Sequence, residues 1–474
     1  MRYLVILTLT WTLLNEASAE TLRDKIEDIR RAHGIAAAAY FVVGPTSIDS
    51  LEAFGQIDWG SDVKFKVEHL IRIGSITKAF SALATTILVE RGSLNLETPA
   101  STVLEPPPYQ NQWAANHPVT IEQLLEHTAG LKDLSNREFE FNRPLTIANA
   151  FKLDPRSRVL AWPPGRHSSY SNSGAGIVSA IIATVTGRDY TDFVRAEIFA
   201  RLGMPSARFS FRDAQRDGLI TGYDSDGRTA IDYWHTLYPA FGGISVTTRD
   251  MIPFVQLFLN RGRLGEDSFI KMSSIERMQQ PATTLAARAG LGYGYGLGIY
   301  QYQRHGISFY GHGGDADGYL SFFAYSPRQN QGYFVVVNAF IKPALSKMRR
   351  VIEEYIIGTS AEPTYPENLP LNQKQISLLS GVYREVTQRF RGTTAPRTLK
   401  VFVEGKGLSS AIGAGKKRDL LAVTEWHFRR SHQTAATIAF IPCLDRVFLQ
   451  GDFGNFEKRL PAGQFTDTCT GSSR

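Results

Sequence analysis

Cysteine is almost missing from this 474-residue chain: it holds two, Cys443 and Cys469, both near the C-terminus. Two thiols alone cannot complete a tetrahedral metal site, and at most one disulfide can form. Beyond the first twenty residues no run of about 18 apolar residues occurs, which leaves no stable membrane span in the rest of the chain. Concentrated charge is lacking too. The formal net charge is +7, but the basic residues are scattered, with nothing longer than pairs such as Arg349-Arg350 and Arg429-Arg430. A nucleic-acid partner calls for a basic patch or a recognisable module, and neither is visible. Mild attraction to anionic envelope or cell-wall polymers is the most this charge supports. There is no internal repeat.

The chain does have the 43% hydrophobic and 20% charged content of a folded protein, and its length leaves room for two domains. Its first residues follow a leader layout: Arg2, an apolar run from Tyr3 to Leu14, then Ala17-Ser18-Ala19 before Glu20. This predicts a signal peptide over residues 1–19 and an exported protein, periplasmic or extracellular. An uncleaved anchor or a first buried helix is the alternative. In an oxidising compartment Cys443 and Cys469 have one pairing open to them, a disulfide tying the last strands to the tail; two unpaired small apolar side chains are the other reading.

Apolar spacing predicts a helix over Leu22 to Ala32, strands over Ala37 to Val43 and around Leu51 to Phe54, and a buried helix from near Ser75 to Gly92. Shorter helices follow, at Thr120 to His127 with Thr120 as N-cap and Gln123 three residues on, and at Gly174 to Thr186. Strand-like runs return at Ile307 to Tyr310, Tyr319 to Tyr325 and Tyr333 to Asn338, before a helix over Leu345 to Ile357. Strands at both ends with helices between them indicate one composite α/β domain over residues 20–358 whose terminal segments meet. A proline-rich connection, 359–371, leads to short apolar runs at Val382 to Val386, Leu399 to Val403, Leu420 to Val423, Thr437 to Phe440 and Arg446 to Leu449. These predict a small all-β domain over 372–474, with a barrel as the form to look for.

Three short motifs can carry chemistry. In Ser75-Ile76-Thr77-Lys78 a helical spacing of three puts the hydroxyl and the amine on one face, and burial lowers a lysine pKa so that a neutral amine can accept the serine proton. Such a spacing also arises by chance. In Tyr170-Ser171-Asn172 a phenol can shuttle a proton, particularly as a phenolate beside a cationic lysine, and an amide can donate to a substrate carbonyl and accept from Lys78; a turn with a surface tyrosine is equally compatible. In His312-Gly313-Gly314-Asp315 the glycines permit close approach, the histidine can bind a carbonyl or carboxylate and changes charge near neutral pH, and the Asp315 amide can face an oxyanion. A hairpin turn would suit the same residues.

In this order the three motifs resemble those of the serine β-lactamase and penicillin-binding-protein superfamily, Ser-x-x-Lys, Ser-Asp-Asn and Lys-Thr-Gly. The Tyr-x-Asn form at Tyr170 and Asn172 is similar to that of the class-C-like branch, with its D-alanyl-D-alanine carboxypeptidases, D-aminopeptidases and esterases. The resemblance extends over about residues 30 to 355, through His127-Thr128-Ala129-Gly130, Arg201 to Met204, Gly242-Gly243 and Tyr293 to Gly298. It implies a central antiparallel sheet flanked by helices and a cofactor-free, metal-independent hydrolase. Ser75 would be acylated, Lys78 and Tyr170 would move the proton, and the Ser75 and Asp315 amides would stabilise the oxyanion. Asn172, His312, Gly313 and Gly314 would bind a small peptide, amide or ester, and His127 would be structural. Histidine at 312 stands where dedicated β-lactamases of that branch have lysine, which favours a peptidase or esterase acting on D-configured substrates. A true β-lactamase and a non-catalytic cell-wall-binding protein are the rivals. Asp315 must turn away from an oxyanion or meet a substrate amine. The oligomeric state is not encoded in any motif.

Overall fold

The computed structural model describes residues 21–461 except 140, 142, 233–234, 359–362, 390–394 and 444. The expected signal peptide, the first part of the connection and Cys469 lie outside the described residues.

Helix α1 (Leu22–Ala32) begins at a capping box: Thr21 Oγ1 accepts from the Asp24 N–H at 3.2 Å, and the Asp24 carboxylate accepts from the Thr21 N–H. Strand β1 (Ala37–Val43) is buried along its whole length. The reason is its central position. It lies between β2 (Ile48–Gly55) and β6 (Gln331–Val337) in a six-stranded sheet that continues through β5 (Tyr319–Ser326), β4 (Ile307–Ala316) and β3 (Tyr300–Arg304). The order is β2-β1-β6-β5-β4-β3 and every pairing is antiparallel.

The two-residue period of β1 divides the interior into two layers. Ala37, Ala39, Phe41 and Val43 face a core shared with helices α2 (Thr77–Glu90), α3 (Asn172–Thr186) and α4 (Met251–Leu259). Ala38, Tyr40 and Val42 face the opposite core, which includes Ile26 of α1 and Met348 and Ile352 of helix α5 (Lys342–Ile357). The N- and C-terminal segments of this unit therefore meet, as the sequence predicts. All residues of α2 from Thr77 to Leu88 are buried, and Phe80 stacks on Phe254 of α4 with centroids 3.9 Å apart.

Strand β4 departs from the sequence reading. It runs on to Ala316, and His312, Gly313, Gly314 and Asp315 pair with Phe323, Phe322, Ser321 and Leu320 of β5. The third motif is thus strand and not a hairpin turn. The ladder with β5 accommodates glycines that in isolation signal a turn.

After α6 (Gln373–Leu379), capped by Asn372 and Gln375, eight antiparallel strands close into a barrel. They are β7 (Gly381–Glu385), β8 (Thr398–Glu404), β9 (Gly407–Ile412), β10 (Arg418–Ala422), β11 (His427–Arg429), β12 (Ile438–Cys443), β13 (Arg446–Gly451) and β14 (Gly454–Arg459). Closure comes from Arg384 opposite Glu457 and Glu385 opposite Phe456. Ile376 and Leu379 of α6 join Tyr383, Phe428, Phe440 and Phe456 in the barrel's own core. Cys443 is buried at the end of β12; its expected partner is outside the described residues, so the disulfide remains an expectation. Among the described residues no helix is long and apolar enough to cross a membrane.

Candidate active site

Ser75 sits in a 3₁₀ turn, Gly74–Ile76, that leads directly into α2. Gly74 has φ of +50°, and a Cβ there would fall 2.5 Å from the Asp315 carbonyl oxygen. Only glycine lets the nucleophile turn lie against the end of β4, where the Gly74 and Asp315 backbones come together. An N–H in the first turn of a helix has no intrahelical acceptor, so the Ser75 amide is oriented for an external one.

One turn on, Lys78 Nζ lies 3.1 Å from Ser75 Oγ and donates to the Phe241 carbonyl at 2.8 Å. The side chain is only 4% exposed. That burial drives its pKa well below the ordinary lysine value; Arg389 adds to the effect, while Asp133 and Asp315 oppose it. The amine is therefore poised to be neutral. The Tyr170 ring centroid is 4.8 Å from Nζ, and the phenol interacts with the Ser75 hydroxyl. Burial raises the Tyr170 pKa despite that hydrogen bond. The phenolate anticipated from a cationic lysine neighbour is thus disfavoured on both sides: burial weakens the lysine's hold on its proton and strengthens the phenol's.

Asn172 opens α3. Its N–H and Nδ2 both donate to the Asp133 carboxylate, at 2.8 and 3.3 Å, and its Oδ1 is buried with no hydrogen-bond partner among the described residues. The anticipated bond from Lys78 to Asn172 is absent, because Ser75 and Phe241 take the amine. His127 adopts φ of +59°, a costly conformation outside glycine. Its ring lies 4.2 Å from that of Tyr170 and 4.6 Å from that of Tyr295, and its Nδ1 accepts from the Ser171 N–H at 3.2 Å. It holds the Tyr170 segment, in keeping with a structural part.

His312 is 3% exposed. Its Nδ1 faces the Gly313 carbonyl and must donate, which leaves Nε2 to accept from the Tyr295 hydroxyl at 2.8 Å. The neutral tautomer satisfies both contacts. Burial, with Lys78 nearby, lowers the imidazole pKa to about 3, so the charge change expected near neutral pH does not occur. The Asp315 carboxylate is exposed and pairs with Lys342 at 3.2 Å.

These groups line a cleft of about 400 Å³ that also takes in Phe139, Phe241, the Arg72–Asp317 ion pair and Arg389. It brings together Ser75, Tyr170, Asn172, His312, Gly313 and Asp315; Gly314 packs behind them, where a Cβ would fall 1.9 Å from the Ile73 carbonyl oxygen. Sequence reasoning missed Asp133, Tyr295 and Arg389. Tyr295 lies within the Tyr293 to Gly298 stretch noted above and Asp133 three residues beyond the His127 to Gly130 stretch, so position alone offered a hint. Arg389 comes from the C-terminal part of the chain and had no signal.

A serine and a buried lysine heading a helix against the edge of an antiparallel sheet define the fold class shared by serine β-lactamases and penicillin-binding proteins. Residues 22–355 match the family described as Beta-lactamase, and the chain belongs to that family. Protein flp of Staphylococcus aureus (strain N315) is 26% identical over 338 residues, which cover 69% of this chain and 64% of that protein. The chain thus spans just under two thirds of that relative's length. Penicillin-binding protein 4 of Amycolatopsis lactamdurans is 25% identical over 314 residues, 64% of this chain and 81% of that protein. The octameric penicillin-binding protein homologue from Pyrococcus abyssi has the same fold with a TM-score of 0.60 at 21% identity, covering 92% of this chain and 99% of its own. D-amino acid amidase from Ochrobactrum anthropi SV3, complexed with D-phenylalanine, gives 0.58 at 23% identity over 71% of this chain and 99% of its own.

Proposed function

We propose that this protein is a serine hydrolase that cleaves small amides, esters or D-configured peptides through an acyl-enzyme on Ser75. The observation that carries this reading is the buried Lys78 amine 3.1 Å from the Oγ of Ser75, a residue that lines the cleft. Ser75 Oγ attacks the substrate carbonyl and its proton passes to neutral Lys78. The Ser75 and Asp315 amides receive the oxyanion. Tyr170, a protonated phenol beside both groups, donates to the leaving amine or alkoxide and is reprotonated from Lys78. Water then attacks the ester carbonyl, gives its proton back through the same pair, and releases the acid and free Ser75.

A neutral His312 offers no cation to a β-lactam carboxylate, which favours this reading over a dedicated β-lactamase. Intact Ser75, Lys78 and Tyr170 favour it over a binding protein without turnover. We further propose export after loss of residues 1–19 and pairing of Cys443 with Cys469. Labelling with a fluorophosphonate should yield one adduct, on Ser75, that is lost in Ser75→Ala. No adduct on the native wild-type protein would overturn the assignment.

A further inference from the structure

The segment bearing Tyr170 and Asn172 is gripped by the barrel. Trp162 Nε1 donates to the Val386 carbonyl at 3.0 Å, Gln450 Nε2 to the Arg166 carbonyl at 2.9 Å, and Asn455 Nδ2 to the Ser168 carbonyl at 2.8 Å. Closest to the chemistry is Arg389, just beyond β7. The Asp133 N–H donates to the Arg389 carbonyl at 2.8 Å, and Arg389 Nε returns a bond to Asp133 Oδ2 at 2.7 Å. The guanidinium carbon also lies 4.7 Å from the Tyr170 ring centroid.

Asp133 is the centre of this contact. Its carboxylate is fully buried and holds both the N–H and the side-chain amide of Asn172 at the start of α3. A carboxylate taken out of water needs a cation and several donors to remain ionised, and Arg389 is the cation paired with it. Arginine suits the place in a way lysine does not: its plane can lie on an aromatic ring while Nε donates sideways.

We propose that Arg389, supplied by the barrel, is a positioning residue of the Ser75 site: it fixes Asn172 through Asp133 and fixes the Tyr170 phenol by lying on its ring. The inference rests on the serine-hydrolase reading above and adds that the family-matched region is catalytically incomplete without the barrel. It also has an electrostatic consequence. The groups facing Lys78 are Asp133, Arg389, Asp315, Tyr170, His127 and His312. Burial keeps both histidines and the phenol neutral, and Asp315 has Lys342 beside it. The field at the amine is then largely the balance between Asp133 and Arg389, of opposite sign. Removing Arg389 leaves Asp133 uncompensated, stabilises the Lys78 ammonium and moves the acid limb of the reaction to higher pH.

The test uses the full chain and its rate of Ser75 labelling by a fluorophosphonate as a function of pH, with thermal melting as the folding control. Arg389→Met should label about tenfold to a hundredfold more slowly, with its half-maximal rate at higher pH. Arg389→Lys should restore the pH position but only part of the rate. In an Asp133→Asn background, where the link to Asn172 is already cut, Arg389→Met should cost much less of the rate than it does alone, while its shift of the pH dependence persists. A Met variant that labels within twofold of wild type at an unchanged half-maximal pH overturns the proposal. So does an Arg389→Lys variant with the full wild-type rate, which decides the matter if the Met variant does not fold. Failure of the wild type to label would instead overturn the parent reading.

Discussion

An ammonium at Lys78 would forgo nearly all its hydration, since every α2 residue from Thr77 to Leu88 is buried. The same burial holds His312 neutral, with a pKa of about 3. The acid limb of the acylation rate should therefore report Lys78 and not the histidine. His312→Gln keeps a neutral partner for the Tyr295 hydroxyl, and its limb should stay where the wild-type limb is. His312→Lys adds a cation near Lys78, disfavours the second ammonium and should move the limb to lower pH. Both are read from labelling rates against pH; a limb that follows the glutamine substitution would return the titration to His312. That Ser75, Lys78, Tyr170 and His312 would lie close together was legible in the order of the three motifs and the family they resemble. The lowered pKa of Lys78 was legible too, from its apolar helix; the protonated phenol and the neutral imidazole were not, because they depend on burial contributed by residues far away in the chain, such as Tyr295 beside His312.

Local patterning carried most of the elements of the first unit. Helix α1 lies over the same residues as its apolar pattern and has a capping box; β1 is a continuous apolar run because it is central and covered on both faces. Strand β4 was harder. Gly311, Gly313 and Gly314 look like a turn until the β5 ladder is present, and three barrel strands, Gly407–Ile412, His427–Arg429 and Gly454–Arg459, escape notice for want of long apolar alternation. The glycines of β4 are not equivalent. A Cβ on Gly314 would fall 1.9 Å from the Ile73 carbonyl oxygen, in the backbone just before Ser75, whereas one on Gly313 would meet the Phe322 ring at 3.2 Å. Gly314→Ala should thus force β4 off the nucleophile turn, with a loss of about 1–3 kcal/mol in stability and about a hundredfold in acylation. Gly313→Ala should cost much less of both. Melting curves and labelling rates decide it, and equal behaviour of the two variants would contradict the close-approach argument.

Across the whole molecule, the seam between the barrel and the sheet-bearing unit joins an apolar cluster, in which Leu285, Ala286 and Leu291 meet Ile441, Cys443 and Phe448, to buried side-chain-to-backbone hydrogen bonds that no hydrophobicity pattern announces. Gln450 of β13 is buried, accepts from the Ala286 N–H at 2.9 Å, and donates to the Arg166 carbonyl and, at 3.1 Å, to His167 Nδ1. The His167 ring lies 5.6 Å from that of Phe448. Burial first, then Arg166 and Arg446, lowers its pKa from 6.5 to about 3. The unfolded chain binds this proton at 6.5 and the folded chain does not, so the stability conferred by a neutral His167 is present above that value and is lost as pH falls toward 3. Over that window the slope from this one group approaches about 1.4 kcal/mol per pH unit. Protonation would also replace the Nδ1 lone pair with a donor facing the Gln450 amide and set two donors against each other. The melting temperature should consequently fall as the medium is acidified below neutrality. His167→Asn, which can still accept from Gln450 but does not titrate, should flatten that fall even if it starts from a lower stability. Parallel curves for wild type and His167→Asn would show that the seam does not sense pH through this residue.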